Sequence, residues 1–151
     1  MTRHMQALTF GAPDRMSYTA LGDGVNLSSR LEGLNKVYGT WILASDAVRA
    51  ATGGAFAFRL LDRVTVKGKT RGVLVHELLG RAAEVSPAVV ANARAYEVAF
   101  AAYLDRRFAD ALAGLAACGD APAAVLAERC RACLESPPPD DWDGVWHARE
   151  K

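Results

Sequence analysis

The pattern of apolar residues changes abruptly between residues 80 and 87. Before that point, short apolar runs alternate with glycines, whereas the chain from Pro87 onward is rich in Ala, Leu and Arg at helical spacing. A chain of 151 residues holds one domain, or one small domain with an appendage. The sequence therefore predicts an α/β unit in residues 1–80, a helical unit in residues 88–136, and a segment with prolines and tryptophans in residues 137–151.

The first unit alternates strand-like and helix-like patterns. The run "RMSYTAL" is typical of a strand, and "GVNLSSRLEGLNKVYG" predicts a helix that ends at Gly39. The run "TWILAS" predicts a short buried strand, and "DAVRAAT" predicts a helix capped by Ser45 or Asp46 and stopped by two glycines. Two β-rich runs, "AFAFRLLDRVTV" and "GVLVHELL", are joined by the basic loop "KGKTR", which predicts a hairpin.

The second unit predicts two or three helices, between "AVVANARAYEVAFAAYLDRR" and "APAAVLAERCRACLES". The helical pattern stops at "PPPDD", because proline has no N–H to donate and a fixed φ. Cys130 and Cys133 form a C-x-x-C on the last of these helices. No second pair of metal ligands accompanies them in the sequence, so we expect buried cysteines there and no zinc site.

Charge and composition argue against several classes of function. The formal net charge of +1 favours neither a nucleic-acid surface nor an acidic substrate. The apolar runs are too short to span a bilayer, and "MTRHMQALTF" lacks the apolar stretch of a secretion signal. Three cysteines, an odd number, fit a reducing compartment better than a disulfide framework. We therefore expect a cytoplasmic chain with no membrane segment and no nucleic-acid partner.

One helix carries two polar residues in register beside an apolar stripe. Successive helical residues turn by roughly 100°, so Leu27, Leu31 and Leu34 share one face, and Asn26 and Arg30 lie together on its rim. A guanidinium suits phosphate oxygens, and an amide can both donate to and accept from a ribose. The alternative is that the amide belongs to the first-turn capping and the guanidinium is a solvated surface charge.

A second basic feature ends the predicted strand "VTVKGK". Lys67 precedes Gly68 at the turn, where an ammonium can reach a polyphosphate and a small loop lets the ligand approach. The alternative is a solvated hairpin tip whose charges discourage edge pairing.

Taken in order, these pieces resemble the C-terminal half of the catalytic domain of class III adenylate and guanylate cyclases. In that family, Tyr-Thr-x-x-Gly-Asp-x-Val-Asn-x-x-x-Arg-Leu-Glu is followed by a buried Ile-Leu strand and then by Val-Lys-Gly-Lys. This chain has "YTALGDGVNLSSRLE", "TWILAS" and "VTVKGK", and the resemblance covers roughly residues 11–79. It implies an α/β (α+β) fold, a partial ferredoxin-like cyclase domain followed here by a small helical tail. It also implies a head-to-tail dimer with nucleotide between the protomers.

The resemblance implies a role for each matching residue. Asn26 matches the asparagine that orients the ribose, Arg30 the arginine that steadies the α-phosphate, and Lys67 the lysine that binds the terminal phosphates. Thr19 occupies the base-selecting position, where bacterial adenylate cyclases often have Thr. The implied reaction converts ATP to cyclic AMP and pyrophosphate, in the service of intracellular signalling.

The same resemblance implies a metal site that this sequence does not supply. The family binds Mg²⁺ or Mn²⁺ through two aspartates in the N-terminal part of its domain, and no acidic residue here has a matching context. The ligands are thus expected outside this chain, which looks like a cyclase fragment that is inactive alone. Its expected partners are ATP and either a second protomer or the missing N-terminal half.

The helical unit has its own resemblance, to a single tetratricopeptide-like hairpin of the kind some bacterial cyclases carry. One such repeat cannot bury its apolar face alone, so it should pack on the cyclase half or on a partner. Trp142 and Trp146 would anchor that docking or close a local core. The competing functional hypothesis is a non-catalytic regulatory or interaction module that acts through this tail.

Overall fold

The computed structural model describes residues 6–10, 17–21, 23–65 and 72–145. Strands and helices alternate in the first half and helices fill the second, so the predicted mixed α/β class is confirmed. Strands β1 (Gln6–Phe10) and β2 (Ser17–Leu21) form an antiparallel pair of their own. The sequence predicts β2 but not β1, which lies within "MTRHMQALTF".

Helix α1 runs from Asp23 to Tyr38 and ends as predicted at Gly39, whose φ of +64° suits a residue without Cβ. Leu27 and Leu31 are buried, while Arg30 is exposed. The predicted apolar stripe therefore faces the core.

The strand predicted at "TWILAS" is shorter than expected. Strand β3 spans only Leu43–Ser45, and Trp41 is 93% and Ile42 53% exposed. The expectation that this whole run is buried is wrong: the Ile42 carbonyl still accepts the Leu78 N–H of β5, but the side chains of Trp41 and Ile42 lie outside the core. Ser45 then caps helix α2 (Asp46–Ala51), as predicted, by accepting a hydrogen bond from the backbone N–H of Val48.

The predicted hairpin is confirmed as strands β4 (Phe56–Val64) and β5 (Val73–Arg81). They pair antiparallel, and the sheet order is β3-β5-β4, so β5 is central. The β4–β5 register shifts twice, and one shift falls between Leu60 and Asp62. A shift of this kind re-aims side chains, and here Leu61 and Asp62 are both buried.

The second half contains three helices: α3 (Pro87–Leu104), α4 (Phe108–Leu115) and α5 (Ala121–Glu135). Ser86 caps α3 and Asp120 caps α5, in each case through a side-chain oxygen that accepts a backbone N–H. Three helices fall within the predicted two or three. The tetratricopeptide resemblance stays a prediction.

Helix α3 covers the outer edge of β4. The Tyr96 hydroxyl donates to the Leu61 carbonyl at 2.8 Å, and Glu97 accepts from the Leu60 N–H at 2.7 Å. These side chains satisfy backbone groups that a neighbouring strand would otherwise bond. The helical unit therefore packs on the sheet.

The buried core is continuous across both halves of the chain. Residues of α1, β3, β4 and β5 join residues of all three later helices in one cluster, whose largest buried members are Tyr38, Leu61, Val75, Tyr96, Phe100, Tyr103, Leu126 and Cys130. Trp142 joins it by an edge-to-face contact with Tyr103, so it closes a local core, whereas Trp146 lies outside the described residues.

Candidate functional site

The structure gives a side-chain position for only one of the predicted nucleotide-facing residues. Arg30 is exposed on α1, and no carboxylate among the described side chains, which exclude Asp23, pairs with it. Thr19 lies on β2 and Asn26 on α1, but their side chains are outside what the structure describes, and Lys67 lies outside the described residues altogether. The exposed guanidinium is free to meet an anion, and the joint site stays a prediction.

A buried polar triad lies at the other end of α1. Arg129 of α5 donates to Asp62 of β4 at 3.0 Å and to the hydroxyl of Tyr38 at 2.7 Å. The Tyr38 hydroxyl in turn donates to the same Asp62 oxygen. Burial, with the Asp62 charge beside it, raises the pKa of Tyr38, so the phenol keeps its proton.

A second buried arginine belongs to the first half of the chain and pairs with a carboxylate of the second half. Arg59 of β4 donates to Glu77 of β5 at 2.9 Å and to Asp120, the α5 cap, at 2.6 Å. Asn92 of α3 also donates to Asp120, and the guanidinium lies over the Tyr96 ring, 4.9 Å from its centroid. Each half thus contributes one buried arginine that pairs with a carboxylate of the other half.

Arg59, Asp62 and Arg129 are not among the residues that the sequence predicts to be functional. A signal was present, because the first two interrupt the apolar run "AFAFRLLDRVTV". Arg129 lies three residues after Leu126 and four before Cys133, on a buried helical face. Charges at core positions predict buried partners, since an unpaired buried charge is costly.

An open cleft of about 440 Å³ lies between α2, β4, β5 and α3. Arg49 and His76 line it together with Asp46 and Glu97, so both signs of charge are present. Asp46 accepts two hydrogen bonds from Arg49 and lies 3.2 Å from His76 Nε2. Glu97 accepts a hydrogen bond from a backbone N–H of β4. The mixed charges indicate no particular class of ligand.

His76 predicts a pH dependence of stability. Burial and the nearby Arg49 lower the pKa of His76 below its ordinary value of about 6.5, although Asp46 opposes the shift. The unfolded chain then binds a proton more readily than the folded one. Stability is therefore full above about pH 6.5 and falls as the pH drops towards the folded-state pKa.

We expect His76→Gln to flatten this dependence. Urea unfolding between pH 5 and 8 should show the wild-type free energy of unfolding decreasing on acidification, and the variant decreasing less. Equal slopes in the two proteins would assign the effect to other groups.

The family resemblance implies a metal site. Among the side chains that the structure describes, which exclude Asp23, no group of three or more His, Cys, Asp or Glu converges so that it could hold a metal ion. The described side chains therefore do not fit the two-metal site. Cys130 and Cys133 are buried as predicted, and burial raises the pKa of the Cys130 thiol to about 11. Among the described helices, none is long and apolar enough to cross a bilayer.

Comparison with known proteins gives sequence similarity to adenylate cyclases, although no family model matches the chain. Adenylate cyclase 1 of Rhizobium meliloti is 47% identical over 70 residues, which is 46% of this chain and 10% of that protein. The terminal-differentiation-specific adenylate cyclase of Dictyostelium discoideum is 46% identical over 72 residues, 46% of this chain and 3% of that protein. Adenylate cyclase of Anabaena cylindrica is 40% identical over 73 residues, 46% of this chain and 14% of that protein.

Among solved structures, the adenylyl cyclase CyaB from P. aeruginosa matches 54% of this chain and 41% of its own, with 28% identity and a TM-score of 0.42. The chain spans between 3% and 14% of the length of the three curated relatives. The identity of 40–47% with three adenylate cyclases supports a cyclase domain in this chain.

Proposed function

We propose that this chain is part of an adenylate cyclase that converts ATP to cyclic AMP and pyrophosphate. The observation that carries the proposal is the identity of 40–47% with three adenylate cyclases over 70–73 residues. The exposed Arg30, next to the buried Leu27 and Leu31 on α1, supports it, because a ligand-binding cation must be held by the core and still reach solvent.

In the proposed reaction, the ribose 3′ oxygen forms a bond to the α-phosphorus while the bond to pyrophosphate breaks. Arg30 stabilises charge on the α-phosphate, Asn26 orients the ribose, Lys67 binds the terminal phosphates and Thr19 contacts the base. Such phosphoryl chemistry depends on positioning and on charge stabilisation, which suits an arginine, an amide and a lysine.

The proposed enzyme needs a partner that completes the site. A second protomer, or an N-terminal half of the catalytic domain, would supply the metal-binding aspartates. We therefore expect this chain alone to bind ATP weakly and to make no cyclic AMP. Metal-dependent turnover by the purified chain alone would show that a complete site exists within it.

The test is complementation. This chain is mixed with the N-terminal catalytic fragment of its parent gene, and cyclic AMP is measured with ATP and Mg²⁺ or Mn²⁺. We expect product from the wild-type pair and a kcat lowered by roughly a hundred- to a thousandfold in Arg30→Ala, the range for losing one preorganised donor to a developing charge.

The matched control is Lys36→Ala on the same helix. Lys36 is an exposed cation in a surface pair with Glu32, so its removal should leave kcat unchanged. Absence of product from a complex that does assemble would favour a non-catalytic interaction module instead. Equal activity of Arg30→Ala and wild type would remove Arg30 from the site.

A further inference from the structure

The Tyr38–Asp62–Arg129 triad joins three elements that are distant in sequence. Tyr38 is the last residue of α1, Asp62 lies on β4 and Arg129 on α5, and their exposures are 1%, 2% and 7%. Arg129 donates to both other side chains, at 3.0 Å to Asp62 and at 2.7 Å to Tyr38. Its guanidinium also lies 5.4 Å from the centroid of the Tyr38 ring. The end of α1 is thus bonded to the helical half.

A buried ion pair of this kind is a weak source of stability. Removing two charges from water costs about as much as their attraction returns, and apolar residues of similar volume often replace such pairs without loss. What directional hydrogen bonds add is orientation, because a guanidinium fork accepts only a narrow range of partner geometries. The triad is therefore better explained as a device that fixes the position of a structural element than as a source of stability.

That element is α1. Arg30 lies eight residues before Tyr38, or roughly 12 Å along the axis at about 1.5 Å per residue. Leu31 and Leu34 hold the helix between Arg30 and Tyr38 against the core, so a shift at its last residue moves the helix as a body. The residues predicted to face the nucleotide, Asn26 and Arg30, move with it.

We propose that Arg129 is a positioning residue for the cyclase reaction: through Asp62 and Tyr38 it fixes the end of α1 and thereby the place of Arg30 at the nucleotide. This rests on the proposed function of the chain. It makes the helical half a part of the catalytic unit, since displacing α5 would release α1.

The experiment uses the complemented pair with Arg129→Met, which keeps an unbranched apolar stem and removes the charge and the guanidinium fork. We expect kcat per folded molecule to fall roughly ten- to a hundredfold, because small misplacement of a catalytic group has effects of that size, with KM for ATP little changed. Arg129→Lys, which keeps a cation at the site, should recover part of the loss. Arg131→Met on the same helix, at an exposed position, is the matched control and should match wild type.

Amide hydrogen exchange on the full chain supplies a second readout. In Arg129→Met we expect faster exchange at the C-terminal turns of α1, with the central strand β5 unchanged. A purely structural role would instead speed exchange throughout, and would leave kcat per folded molecule at the wild-type value.

The outcomes separate the two proposals. No product from the wild-type pair refutes the proposed function, and this inference with it. Product from the wild-type pair, with unaltered kcat in Arg129→Met and Arg129→Lys, refutes the positioning role alone. If Arg129→Met does not fold, Arg129→Lys decides, and its activity per folded molecule must then fall for the proposal to stand.

Discussion

A chain that ends at residue 85 is expected to be unfolded. This truncation removes α3, which covers the β4 edge, and with α4 and α5 about two thirds of the buried core cluster. The Leu61 carbonyl would lose the Tyr96 hydroxyl, and the Leu60 N–H would lose Glu97. Leu61 itself, now fully buried, would face water.

The lost apolar burial decides the size of the effect. Asp62 would lose Arg129 and Arg59 would lose Asp120, but water would reach both groups, so neither is left as an unpaired charge in a dry core. Burying one large apolar side chain is worth about 1.5–3 kcal/mol, and the truncation removes the packing partners of several. Domains have total stabilities of only about 5–15 kcal/mol, so this loss exceeds the stability of a small domain.

Far-UV circular dichroism and amide-proton dispersion of the 1–85 chain provide the measurement. The matched control is a chain ending at residue 145, which keeps every contact described here and should unfold cooperatively. A cooperative transition and dispersed amides in the shorter chain would contradict the prediction, and would make the first half an independent domain.

The elements that were predicted from sequence are those specified by local chemistry. Gly39 ends α1 because a left-handed turn there favours glycine, and Ser45 caps α2 because its hydroxyl accepts a nearby N–H. The stripe of Leu27 and Leu31 predicts correctly which face of α1 is buried and leaves Arg30 exposed. Each of these signals lies within a few residues along the chain.

The contacts that join the two halves have no such local signal. Arg59 meets Asp120 across 61 residues, and Arg129 meets Asp62 across 67 and Tyr38 across 91. Composition changes near Pro87 and suggests a boundary there, yet the pairings cross it. Periodicity shows that Arg129 is on a buried face, but only the fold determines which carboxylate it meets.

In the candidate site, too, some features follow from the local sequence and others depend on the fold. The position of Arg30 follows from helical periodicity, whereas the approach of Thr19, Asn26 and Lys67 to one ligand depends on loops and on a partner. Their roles come from the family resemblance and are left to the complementation test.

The second large effect is expected at Tyr103, at the centre of the aromatic cluster. The side chain is fully buried, and its ring meets Trp142 edge-to-face at 5.1 Å and Phe108 at 5.7 Å between centroids. Replacing a large aromatic side chain by alanine in such a place costs about 3–5 kcal/mol, from lost transfer energy and the cavity left behind. We expect Tyr103→Ala to lower the free energy of unfolding by that amount.

Two conservative variants separate the ring from the hydroxyl. The Tyr103 hydroxyl is buried and finds no hydrogen-bond partner among the residues that the structure describes, whereas the Tyr96 hydroxyl donates to the Leu61 carbonyl. An unpaired buried hydroxyl is costly, and a paired one is worth about 1 kcal/mol. Tyr103→Phe should therefore be neutral or stabilising, and Tyr96→Phe should destabilise by about 1 kcal/mol.

Urea unfolding of the three variants at neutral pH measures these effects, provided that the dependence on urea concentration stays the same. Loss of stability in Tyr103→Phe equal to that in Tyr96→Phe would mean that the Tyr103 hydroxyl has a partner after all. A mild effect of Tyr103→Ala would mean that α3 and α4 can collapse onto the vacated space. We expect Tyr103→Ala to be the most destabilising of the three variants and Tyr103→Phe the least. That result would mean that the ring of Tyr103 fixes α3, α4 and the C-terminal segment against one another, through its contacts with Phe108 and Trp142.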